Sequence, residues 1–422
     1  MNFHHITLRY QFHRDIVSFC AFQAPWDESR LGQYIEHIAK NFRAVLVEHE
    51  SLSDCFDAVE REGTDNDEAY VFELESKLQA LLETTGGFCA AAGYIVNMAG
   101  RIAAKPVVQH ILSPVLQPWM QKQPGAPPRK SFMMQPARGS VSPWVEQFGW
   151  AMWRGAACLL ADLVEFGGGA CAGAAAAFYS NALTFSQSRR SVGQAFQSNA
   201  GEQQFLQAAL YGAGVVVEKG GQALPNGAAL NLAETISSIL VSIHGSLEEL
   251  ENDAPDFDAD NQEGTLGDTF DNGVAALGKI LSTRHMAWVA GGSRQKAEQL
   301  SRYWLRFLPL HFDPEEAVPA HAAFAKALAN PTLSALIGGN NAELHPHIAR
   351  VCIEIVVMCS QSSGSAAQFL QRLQSSAQAN QTPPTWRAAL ELLQQRNGGQ
   401  IRGEFADQNT IDQLILQLQR LT

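Results

Sequence analysis

The pattern that most narrows what this chain can fold into is an apolar repeat of helical period, present along nearly its whole length. Trp153, Ala157, Leu160 and Val164 stand at i, i+4, i+7 and i+11, and Phe270, Val274, Leu277 and Leu281 repeat that spacing. Ile348, Val351, Cys352 and Ile355 fall at i, i+3, i+4 and i+7, as do Ile411, Leu414, Ile415 and Leu418. At about 3.6 residues per turn each set occupies one face of a helix, and such a face is stable only when another element covers it. Alternation of apolar and polar residues between turn signals, the mark of a strand, is hard to find. The pattern predicts an all-α fold.

Pro25, Gly86-Gly87, Pro106, Pro143, Gly167 to Gly169, Gly220-Gly221, Pro225, Gly291-Gly292, Pro314, Pro331, Gly338-Gly339 and Pro383-Pro384 punctuate the pattern. They cut it into segments of about 12 to 25 residues, a length that suits helical hairpins. An aromatic followed by a small or branched apolar residue at +4 and a packing residue at +7 begins at Trp153, Phe205 and Phe270. These starts are 52 and 65 residues apart. HEAT and armadillo repeats run to roughly 40–47 residues, so a repeat array here needs inserted connections.

The 422 residues carry 30 Lys+Arg against 42 Asp+Glu, a net charge of −12. Such a balance repels the phosphates of a nucleic acid and favours basic partners. The N-terminal run places His4, His5, Arg9, His13 and Arg14 where a signal peptide needs an unbroken apolar stretch. The most apolar windows, Gly87 to Gly100 and Gly169 to Tyr179, are shorter than the roughly 18–20 apolar residues that cross a bilayer. No membrane insertion is expected. Cysteines 20, 55, 89, 158, 171, 352 and 359 are scattered singly with no C-x-x-C pair, as expected for reduced core thiols of an intracellular protein.

Two motifs suggest chemistry and fail on detail. Gly212-Ala213-Gly214 resembles the start of a dinucleotide fingerprint, but Val217 holds the third glycine position and no β-run precedes it. Phe205 to Val217 is expected to be one helix whose small residues allow close packing. His345, His347 and Cys352, with Glu343 nearby, match no zinc spacing, so a core thiol and helix-start histidines are expected. No Walker A loop, G-x-S-x-G elbow or H-E-x-x-H occurs, and neither an enzyme, a cofactor nor a metal is expected.

Three stretches break the helical pattern. Residues 121–143 are rich in proline and glycine and basic, a linker or long loop. An acidic turn runs from Glu60 to Glu68. The strongest charge block spans 248–263, with Glu248, Glu249, Glu251, Asp253, Asp256, Asp258, Asp260 and Glu263 and no basic residue. Lys and Arg are absent from Gly220 through Gly278. A block of like charge is commonly a solvated connector; its alternative role is to attract Lys/Arg-rich segments, which makes these eight carboxylates the candidate cargo-binding residues.

Gln207 to Gly221, Phe270 to Leu281 and Tyr303 to Val318, followed by Leu336 to Asn341, together resemble in order and spacing the C-terminal part of the importin-β family of transport receptors, most closely its karyopherin beta-three branch. The similarity is strongest from about Trp144 to Val357. It implies a HEAT-repeat α-solenoid, a right-handed superhelix of antiparallel helix pairs, divided into N-terminal hairpins over 1–120, a linker at 121–143 and a C-terminal array over 144–422 interrupted by the acidic insertion at 248–263. It implies basic cargo bearing nuclear-localisation signals, phenylalanine-glycine nucleoporins as partners, and a location in cytoplasm, nucleus and nuclear pore. The family also binds Ran GTPase, mainly through an N-terminal arch that a C-terminal portion lacks. The alternative is a helical-repeat scaffold of a multiprotein assembly with no transport role.

Overall fold

The computed structural model describes residues 28–62, 68–121, 143–169, 171–190, 200–221, 224–253, 263–337, 344–359, 364–369, 371 and 405–421. Helix makes up 91% of it and no strand occurs among the described residues, so the fold is all-α. The chain divides into two compact units, Met1–Leu224 and Pro225–Thr422. That division falls inside the stretch expected as one C-terminal array. Gln121 and Pro143 flank residues outside the described set, and the helices on either side of them pack together within the first unit.

In the first unit α1 (Glu28–Glu62) buries Leu31, Ile35, Ile38, Phe42 and Val45 along one stripe. Helix α2 (Glu68–Ala99) answers with Leu74, Leu78, Leu81, Phe88, Ala92 and Ile95, and Phe42 stacks on Phe88 at 5.2 Å. Gly86-Gly87, expected as a break, lies inside α2. Two glycines cost a helix about 2 kcal/mol, and the buried residues on both sides of them, Leu81 and Phe88, offset that. Pro106 does not end the next segment either. Helix α3 (Arg101–Val107) passes into a π-helical stretch, Val108–Leu116, and then into α4 (Gln117–Met120). Pro114 cannot donate to an α-helical ladder; the backbone widens there, and the Gln117 amide donates to the Leu112 carbonyl five residues back.

Helices α5 (Pro143–Glu165), α6 (Ala172–Arg190) and α7 (Ala200–Lys219) complete the unit. Gly168 and Gly169, both at φ 78, turn the chain after α5. Trp153 stacks on Phe178 of α6 at 5.1 Å and meets Phe205 of α7 edge-on at 5.6 Å. The Tyr179 hydroxyl donates to the Ala157 carbonyl at 2.6 Å. Contacts 89 to 155 and 93 to 162 run in the same direction along α2 and α5, as do 154 to 204 and 165 to 211 along α5 and α7. Thus α2, α5 and α7 form a layer of parallel helices, with α6 antiparallel to α5 and α7.

The second unit repeats this scheme. Helices α8 (Asn226–Asp253) and α9 (Glu263–Ala290) form an antiparallel hairpin, joined at one end by His244 on Phe270 and at the other by the Trp288 indole donating to the Asn226 carbonyl. After Gly291-Gly292, α10 (Arg294–Phe307) returns along α9, and α11 (Pro314–Ala329) runs parallel to α9. Asp313 caps α11 by accepting from the Glu315 and Glu316 amides, and Pro314 fits the first helical position. Asn330 caps α12 (Pro331–Leu336) in the same way. Helix α13 (His345–Met358) and α14 (Gln408–Leu421) pack together, and α14 also lies on α11. Within each unit this is the stacking of helical hairpins found in α-helical repeat arrays.

Candidate functional site

The acidic block singled out from the sequence is only partly a loop. Glu248, Glu249, Glu251 and Asp253 occupy four of the last six positions of α8, and Glu263 opens α9. Asp256, Asp258 and Asp260 lie outside the described residues. The last turn of α8 contains no basic residue. Two of the four acidic residues, Glu251 and Asp253, belong to the last turn of α8, the end of a helix that favours cations.

A second polar site occupies the junction of α9 with the segment leading into α11. Asp271 is 1% exposed, and its Oδ2 accepts from the Phe312 and Asp313 amides at 2.6 and 2.9 Å. Asn272 donates to Asp313 Oδ2 at 2.8 Å and to the Asp268 carbonyl. Burial pushes the Asp271 carboxyl up to about 8 against the pull of those amides. It raises Asp268 to about 6, helped by the charge of Asp313. Lys279 pairs with Glu316 at 3.1 Å, with both side chains largely buried. These groups pin the 308–313 segment to α9, so their hydrogen bonds hold the chain rather than wait for a ligand.

The third site is on α5. Trp153, Ala157, Leu160 and Val164 are buried, while Arg154, Asp162 and Glu165 lie on the remaining face. Arg154 Nη1 donates to Gln204 at 2.7 Å and the Tyr211 hydroxyl donates to Glu165 at 3.2 Å, both across to α7. Asp162 leans the other way, onto Gly93 of α2. A Cβ on that glycine would stand 1.9 Å from Asp162 Oδ2. Burial, with a contribution from the Glu165 charge, raises Asp162 to about 7, so this carboxyl holds or releases a proton near neutral pH. No sequence pattern marks Asp162, because it lies just beside the apolar stripe, a position where solvated acids are ordinary.

The other singled-out residues have structural partners. Gly212 is in mid-helix, where a Cβ would fall 2.2 Å from the Tyr179 ring. His347 Nε2 lies 3.0 Å from the Leu305 carbonyl, a donor's position, and Cys352 is fully buried. Among the described residues no group of three His, Cys, Asp or Glu side chains is placed to hold a metal ion. No described helix is long and apolar enough to cross a membrane. No family model matches the chain, and no curated protein matches it.

Proposed function

We propose that this chain is a non-catalytic helical-repeat protein that binds a basic segment of a protein partner. In its narrower form the proposal makes it an importin-like transport receptor, or the C-terminal part of one, that carries basic cargo past phenylalanine-glycine nucleoporins, with Ran GTPase engaged only where an N-terminal arch is also present. The observation supporting the reading is the end of α8, where four acidic residues fall among the last six positions and the last turn holds no basic one. A cationic segment docked there relieves both the dipole and the mutual repulsion. Each exposed pair contributes under about 1 kcal/mol, but the summed field raises encounter rates. The sequence resemblance alone supports the transport role; a stationary scaffold uses the same chemistry.

Titration of the full chain with a Lys-rich peptide and with a phenylalanine-glycine repeat peptide tests both levels. Binding of both is expected of a carrier, and of the Lys-rich peptide alone for a scaffold. No binding of the Lys-rich peptide at low salt overturns the proposal.

A further inference from the structure

We draw no further inference here: the strongest candidate, the half-buried Asp162 of α5 with its neighbour Glu165, packs its carboxyl against Gly93 of α2, and beyond that only its raised pKa singles it out.

Discussion

The indole of Trp304 in α10 lies against Gly278 of α9: a Cβ built on that glycine would stand 2.9 Å from Nε1 and 3.0 Å from Cε2 and Cζ2. The first unit contains a counterpart, the Tyr179 ring on Gly212. In both, a large ring from one helix occupies the space that a missing side chain leaves on another. Small residues in mid-helix thus set how closely these helices approach.

Replacing the two glycines with alanine has opposing effects. Alanine improves helix propensity by about 1 kcal/mol, whereas forcing a Cβ into a packed contact costs about 1–3 kcal/mol. The Tyr179 ring is tethered by its hydroxyl to the Ala157 carbonyl and cannot slide. Gly212→Ala is expected to destabilise its unit more than Gly278→Ala does its own. Gly32→Ala, with nothing within 4 Å of its Cβ, is expected to stabilise α1. Urea denaturation of the three variants checks the order; equal effects would disprove the packing role.

Trp304→Ala is expected to cost about 3–5 kcal/mol, since the side chain is 2% exposed and meets Phe324 edge-on at 6.0 Å. Trp304→Phe is expected to cost much less. The indole N–H has no hydrogen-bond partner among the described residues, so Phe forfeits volume but no bond. A Phe variant as unstable as the Ala variant would mean that the nitrogen has a partner in solution.

His321 is fully buried: its Nε2 accepts from the Leu310 amide at 3.1 Å, and its Nδ1, 2.7 Å from the Phe405 carbonyl, takes the donor's part. The Leu310 bond requires an unprotonated Nε2, and burial, outweighing the pull of the Phe405 carbonyl, lowers the ring's pKa from 6.5 to about 4. As pH falls from about 6.5 toward 4 the unfolded chain takes up a proton that the folded chain refuses. Stability present at neutral pH is lost over that range, by about 3 kcal/mol at most. Melting curves of wild type and His321→Gln at pH 7.5 and pH 5 should show a smaller acid loss for the variant.

Asp162 carries the opposite sign. Its folded pKa of about 7 lies above the usual 3.8, so its contribution is present below about pH 4 and is lost as pH rises through 7. Asp162→Asn is therefore expected to leave stability near that of wild type at pH 4.5 and to raise it at pH 8.5, by about 4 kcal/mol at most. Thermal melts at the two pH values check this. A variant less stable than wild type at pH 8.5 would mean that the ionised carboxylate has a donor.

The stripes were legible because burial selects residues at helical spacing, and Trp153, Ala157, Leu160 and Val164 are each at most 2% exposed. Gly86-Gly87 misled because local propensity names breakers while tertiary burial decides whether they break. The continuous stripe from Leu74 to Ile95 carries α2 through to 32 residues. His321 was not legible at all, since its partner Phe405 lies 84 residues away and no local pattern announces the pairing. The polar contacts of Asp271 and Asn272 escape for the same reason, reaching across 41 residues to Phe312 and Asp313.

The end of α8 allows stability and binding to be separated within one acidic block. Glu248, Glu249, Glu251 and Asp253 fall among the last six positions of the helix, and an acidic residue in a helix's last turn costs about 0.3–1 kcal/mol. Neutralising these four to Gln or Asn should therefore raise the melting temperature of the second unit. Asp256, Asp258 and Asp260 follow α8 and precede α9 in the sequence, and neutralising them is expected to leave the melting temperature unchanged. If the block captures a basic segment, both sets should slow stopped-flow association with a Lys-rich peptide. The loss should be greatest at low salt, where the Debye length is about 30 Å at 0.01 M against about 8 Å at physiological ionic strength. A raised melting temperature with association rates unchanged at every salt concentration would leave the carboxylates as a solvated helix end and remove the basis for a basic partner there.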